Sequence, residues 1–134
     1  MLLILASISI THISSADIYV VVAKNSDTET LKKKDVIAIY TGKTKALPNG
    51  NLAAPFDHKD TAKIKAEFYK KLTNRSISQI NSYWARLIFS GRHVPPTQLN
   101  NEAAVMSGVA QNPNAIGYVS NPDLDIVKVV YTIK

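Results

Sequence analysis

The sequence predicts one α/β domain: a single open, mostly parallel sheet flanked by helices, with an antiparallel element near the C-terminus. Three observations predict it. Ile18-Tyr19-Val20-Val21-Val22-Ala23 is a short, continuous apolar run, the pattern of a strand buried on both faces. Ile80, Tyr83, Trp84, Leu87 and Ile88 recur at i, i+3, i+4, i+7 and i+8, the stripe of an amphipathic helix. Strand-like and helix-like segments alternate along the chain, with helices paired in the middle, which suits a sheet covered by helices. At 134 residues, 46% hydrophobic and 19% charged, the chain can build one core and does not read as disordered.

The elements follow in order. After the first strand, Asn25-Ser26-Asp27-Thr28 is a loop of helix-capping residues, and 31–40 reads as a helix closed by Gly42. Leu47-Pro48-Asn49-Gly50 is a turn, and 52–56 is a second strand in which Pro55 belongs at an end or an edge. Asp57 or Asp60 is expected to open the next helix, whose Ile64, Phe68 and Leu72 recur every four residues. Ser76-Ile77-Ser78-Gln79 has capping-box spacing and starts the Trp84 helix, which Gly91 ends. Pro95-Pro96 is an extended link, 101–111 a helix capped by Asn100 or Asn101, and 115–119 a strand. Val127, Val129, Tyr131 and Ile133 alternate, marking a last strand at an edge.

The N-terminus differs from the rest. Residues 1–10 are almost wholly apolar, and Ser14-Ser15-Ala16 puts small residues where a signal peptidase cuts. The run is shorter than the roughly 20 residues a membrane span takes. Residues 1–16 are therefore expected to be a signal peptide and 17–134 the domain, with a periplasmic or secreted location. The basic start of such a signal is missing, since no Lys or Arg precedes Lys24. The other reading is a buried first strand, which the alternation of β-branched and hydroxyl residues favours.

Several chemistries are excluded. There is no cysteine, so disulfides and Cys–metal sites are out. Thr41-Gly42-Lys43-Thr44 resembles the tail of a nucleotide-binding loop, but Ile37 stands where the first glycine is required. Asp57-His58-Lys59-Asp60 has one His and reads as capping, not as a metal site. His93 has no evident catalytic partner and no serine lies in a Gly-x-Ser-x-Gly elbow, so no enzyme and no cofactor is expected. Between Lys59 and Arg92, eight basic residues face two acidic ones, and the excess of +6 equals the net charge of the chain. Such a face attracts anions or simply solvates the helices. An exported chain rarely meets nucleic acid, so none is expected as a partner.

Three segments together resemble the substrate-binding component of phosphate ABC transporters, within the type 2 periplasmic-binding-protein superfamily. Ile39-Tyr40-Thr41-Gly42-Lys43 with Leu47-Pro48-Asn49-Gly50 resembles its helix-end motif and the following turn. Asn112-Pro113-Asn114-Ala115-Ile116-Gly117-Tyr118-Val119 resembles its "x-P-G-A-I-G-Y-V" stretch, and Tyr83 to Arg92 a helix of a short, stand-alone branch. The resemblance implies one lobe of a two-lobed fold, a small oxyanion such as phosphate as ligand, and a membrane transporter or envelope protein as partner. Two family loops are altered. Asn25-Ser26-Asp27-Thr28 replaces a glycine-bearing hydroxyl loop, and Phe56-Asp57-His58-Lys59-Asp60-Thr61 replaces one carrying an arginine and glycines.

The resemblance places the ligand between those two loops. Asn25, Ser26 and Thr28 would donate from one side, Thr61 and neighbouring amides from the other, with Lys43, Lys59 or Arg92 supplying charge. Asp60 would accept the proton of a monoprotonated phosphate. The alternatives are that Asp57 and Asp60 cap a helix, and that the chain is a non-catalytic interaction or scaffold protein that keeps the fold without the ligand. The export reading has its own check: N-terminal sequencing of the exported protein is expected to start at Asp17, and a chain still starting at Met1 would contradict it.

Overall fold

The computed structural model describes residues 4, 6–8 and 16–134; most of the expected signal segment, 1–16, lies outside the described residues. The elements run β1 (Ile18–Ala23), α1 (Lys33–Tyr40), β2 (Ala54–His58), α2 (Lys63–Thr73), α3 (Ile77–Phe89), β3 (Thr97–Leu99), α4 (Glu102–Ala110), β4 (Ala115–Val119) and β5 (Val127–Ile133). They form the expected open α/β sheet, with strand order β3-β2-β4-β1-β5.

The sheet is mixed, and its odd strand is not near the C-terminus. β2 runs parallel to β3 and to β4, whereas β1 is antiparallel to both β4 and β5. Four strands therefore point one way and β1 points the other. The apolar run of β1 reflects burial on both faces, a property of any central strand, and carries no information on direction.

The alternation of side chains sorts two cores. Ile18, Val20 and Val22 of β1 and Ile116 and Tyr118 of β4 pack under α1, α2 and α3 with Tyr40, Phe68, Leu72, Ile80 and Trp84. Val21, Ala115, Val119 and Val127 face the opposite side, where α4 brings Val105, Met106 and Val109. Gly117 makes that contact possible, because a Cβ there would lie 2.7 Å from Val105 and 2.8 Å from Val109. Gly42, at φ +71°, closes α1 and lies against the Trp84 ring, 2.7 Å from where its Cβ would be.

Local signals explain most element ends. Ser76 and Gln79 form the reciprocal capping box of α3, and Asn101 caps α4 through the Ala104 amide. Two expectations fail. Neither Asp57 nor Asp60 caps a helix: Asp57 is inside β2, Asp60 is in the following loop, and α2 begins after Ala62. The link after Pro95-Pro96 continues as β3, an edge strand parallel to β2. Pro55 is tolerated within β2 because it stands where pairing passes from β4, which takes Ala54 and Pro55, to β3, which takes Phe56 to His58.

Trp84 is 7% exposed and fills the space between α3, Gly42 and the first core. Trp84→Ala is expected to cost about 3–5 kcal/mol in chemical denaturation. A loss within ~0.5 kcal/mol, typical of exposed sites, would show that α3 is misplaced.

Candidate anion-binding site

The site grows from one buried carboxylate. Asp57 is 3% exposed, at the C-terminal half of β2. Its Oδ1 accepts from the His58 amide at 2.8 Å and from the Tyr118 hydroxyl, and its Oδ2 from the Tyr69 hydroxyl at 2.6 Å. Burial, followed by the charge of Asp57, pushes the Tyr69 and Tyr118 hydroxyls well above the ordinary tyrosine range, so both stay protonated and donate. The His58 ring sits 2.7 Å from the Tyr118 carbonyl through Nε2.

Lys65 joins this cluster from the first turns of α2. Its ammonium is 3.7 Å from Asp57 and 2.8 Å from Asp60, and its side chain is 3% exposed. Asp60 also accepts from Asn81 Nδ2 of α3 at 2.7 Å and from Gln98 Nε2 of β3 at 3.5 Å. These bonds, chiefly from Lys65 and then Asn81, hold the Asp60 carboxyl below the usual aspartate range. Lys65, Asn81 and Gln98 line one pocket of about 280 Å³ together with Asp57, Tyr69 and Trp84. Trp84 Nε1 is buried and has no hydrogen-bond partner among the described residues. The pocket lies on the three-helix face beside the C-terminal half of β2, where ligands of open α/β sheets collect. Ala62, at the start of α2, offers no side-chain cap, and its carbonyl accepts from the Lys65 amide at 3.1 Å.

The residues expected from the sequence divide into separate places. Lys59, Asp60 and Thr61 are exposed in the loop after β2, at this end of the sheet. Asn25, Ser26 and Thr28 follow β1, and because β1 is antiparallel they lie at the opposite end. Ala23 faces Val127, while Ile18 faces Ile133, so the length of a six-residue strand, about 20 Å, separates the two loops. The expected convergence of Ser26 and Thr28 with Thr61 is therefore not found. Ser26 Oγ accepts from the Thr28 amide at 3.1 Å, its carbonyl accepts from Lys128 at 2.7 Å, and Asn25 is exposed. Lys43 and Arg92 are exposed beside Gly42 and His93, which line a different pocket of about 340 Å³, and neither lines the Lys65 pocket.

Lys65, Asn81, Gln98 and Tyr69 carry no motif in the sequence, and Tyr118 stands there only as part of the 112–119 stretch. One signal was available. Lys65, Phe68, Tyr69 and Leu72 fall at i, i+3, i+4 and i+7, and all four are buried, so Lys65 occupies the buried stripe of α2.

No family model matches the chain, and no curated protein does. Solved structures do. An ABC-type phosphate transport receptor from Vibrio cholerae matches with TM-score 0.67 and 16% identity, over 86% of this chain and 46% of that one. A Clostridium perfringens protein, described as a phosphate ABC transporter substrate-binding protein with bound phosphate, matches with TM-score 0.68 and 20% identity, over 86% and 45%. A possible phosphate binding protein from Planctomyces limnophilus matches with TM-score 0.57 and 15% identity, over 86% and 41%. The chain thus has the fold of one lobe of such proteins and spans less than half their length.

Proposed function

We propose that the chain is a short member of the phosphate ABC transporter substrate-binding family: an exported, non-catalytic module that binds phosphate or another small oxyanion. The observation that carries this reading is the convergence of Lys65, Asn81 and Gln98 on one carboxylate, at the ligand-collecting end of the sheet. Charged and amide N–H groups that grip a carboxylate are also suited to a phosphate oxygen. The fold shared with proteins described as phosphate-binding supports the choice of anion. Lys59 and Thr61, in the loop beside the pocket, would add charge and a hydroxyl. Release from the membrane by cleavage after Ala16 and action beside a membrane transporter or envelope protein belong to the same proposal.

A second reading, a scaffold that keeps the fold without a ligand, is favoured by one observation: the three donors are already engaged by Asp60. Calorimetry separates the two. Phosphate is expected to bind the purified protein with a dissociation constant of about micromolar order, and the Asn81→Ala/Gln98→Ala variant is expected to lose most of that affinity. No heat from phosphate or sulfate at about millimolar concentration would leave the scaffold reading standing.

A further inference from the structure

We propose that Asp60 is a built-in occupant of the donor set Lys65, Asn81 and Gln98, and that an incoming oxyanion takes its place there instead of binding beside it. The inference rests on the reading of the pocket as an oxyanion site. The donors and the acceptor belong to different parts of the molecule. Lys65, Asn81 and Gln98 are carried by α2, α3 and β3, all packed elements, and the Lys65 side chain is 3% exposed. Asp60 reaches them from the loop after β2 with its side chain 46% exposed. Lys65 is fixed by burial and Asn81 and Gln98 are exposed side chains on packed elements, so a loop-borne acceptor can leave them without disturbing the core.

Charge decides between replacement and addition. Lys65 already has Asp57 at 3.7 Å and Asp60 at 2.8 Å, two carboxylates for one ammonium. Another anion placed next to both meets a net negative charge and is repelled. A singly charged anion that displaces Asp60, such as dihydrogen phosphate, meets the same donors with the same count of charges, and Asp57 remains the buried partner of Lys65. The carboxyl of Asp60, held below its usual range by Lys65 and Asn81, stays ionised near neutral pH and remains a competent occupant. The protein then binds its ligand more weakly than the bare donors would, by the fraction of time that Asp60 is away.

Titration of inorganic phosphate into the full chain by calorimetry tests this. Asp60→Ala is expected to bind phosphate at least about tenfold more tightly than the natural chain. The gain should vanish in Asp60→Ala/Asn81→Ala/Gln98→Ala, whose two added substitutions fall on exposed residues and spare the core. If the natural chain binds phosphate and Asp60→Ala binds no more tightly, displacement is wrong while the site reading survives. A gain that persists without the two amides reflects lost charge alone and also overturns the proposal. Binding by Asp60→Ala alone upholds it and shows that the natural pocket is closed by its own carboxylate, contradicting the function proposed above. Binding by neither protein overturns both.

Discussion

The carboxylate of Asp57 is the constraint around which this molecule is arranged. A charge 3% exposed is tolerated only when it is paired and fully hydrogen-bonded. Its partners come from β2 itself, from α2 through Tyr69 and Lys65, and from β4 through Tyr118. Satisfying one side chain therefore fixes α2 against two strands of the sheet. The aromatic core builds on the same anchor: Tyr118 stacks on Phe68 with ring centroids 3.7 Å apart, and Tyr40 meets both rings edge-on. The Tyr40 hydroxyl donates to the Phe56 carbonyl at 2.8 Å, one residue before Asp57.

The same anchor positions the pocket. Lys65 would be expensive to bury alone, and Asp57 makes its burial possible. Held there, the ammonium donates to Asp60 in the loop after β2, to which Asn81 and Gln98 also donate. The interior and the candidate pocket consequently share one ion pair, Asp57 with Lys65. Asp57 is buried and bonded by Tyr69 and Tyr118, while Asp60 is half exposed in the loop after β2 and held by Lys65, Asn81 and Gln98.

The sequence made the helices, the two-faced first strand and the capping residues of α3 and α4 legible, because each depends on neighbours within about one or two turns. Two things were not legible. The direction of β1 is set by pairing with residues about a hundred positions away, and an apolar run looks the same in either direction. Assuming a parallel β1 put Ser26 and Thr28 at the wrong end of the sheet. The role of Asp57 was hidden for a similar reason. An aspartate ahead of a helix usually caps it, whereas this one is committed to Tyr69 and Tyr118, which are 12 and 61 residues away. Asp60 is legible as a candidate in its loop, but Lys65, Asn81 and Gln98 meet it only in the folded chain. The motif at Ala115–Val119 was the better guide, since its glycine and its tyrosine have separate uses: Gly117 admits α4, and Tyr118 binds Asp57.

The central claim is that Asp57 and Lys65 act as a coupled buried pair on which both the packing of α2 and the pocket depend. A double-mutant cycle on Asp57→Asn and Lys65→Met, read by chemical denaturation, tests it most directly. The account predicts that Asp57→Asn alone costs about 3–5 kcal/mol, and that the two changes are non-additive by roughly 0.5–3 kcal/mol. Single losses within ~0.5 kcal/mol, as at surface positions, together with additivity in the double variant, would contradict it.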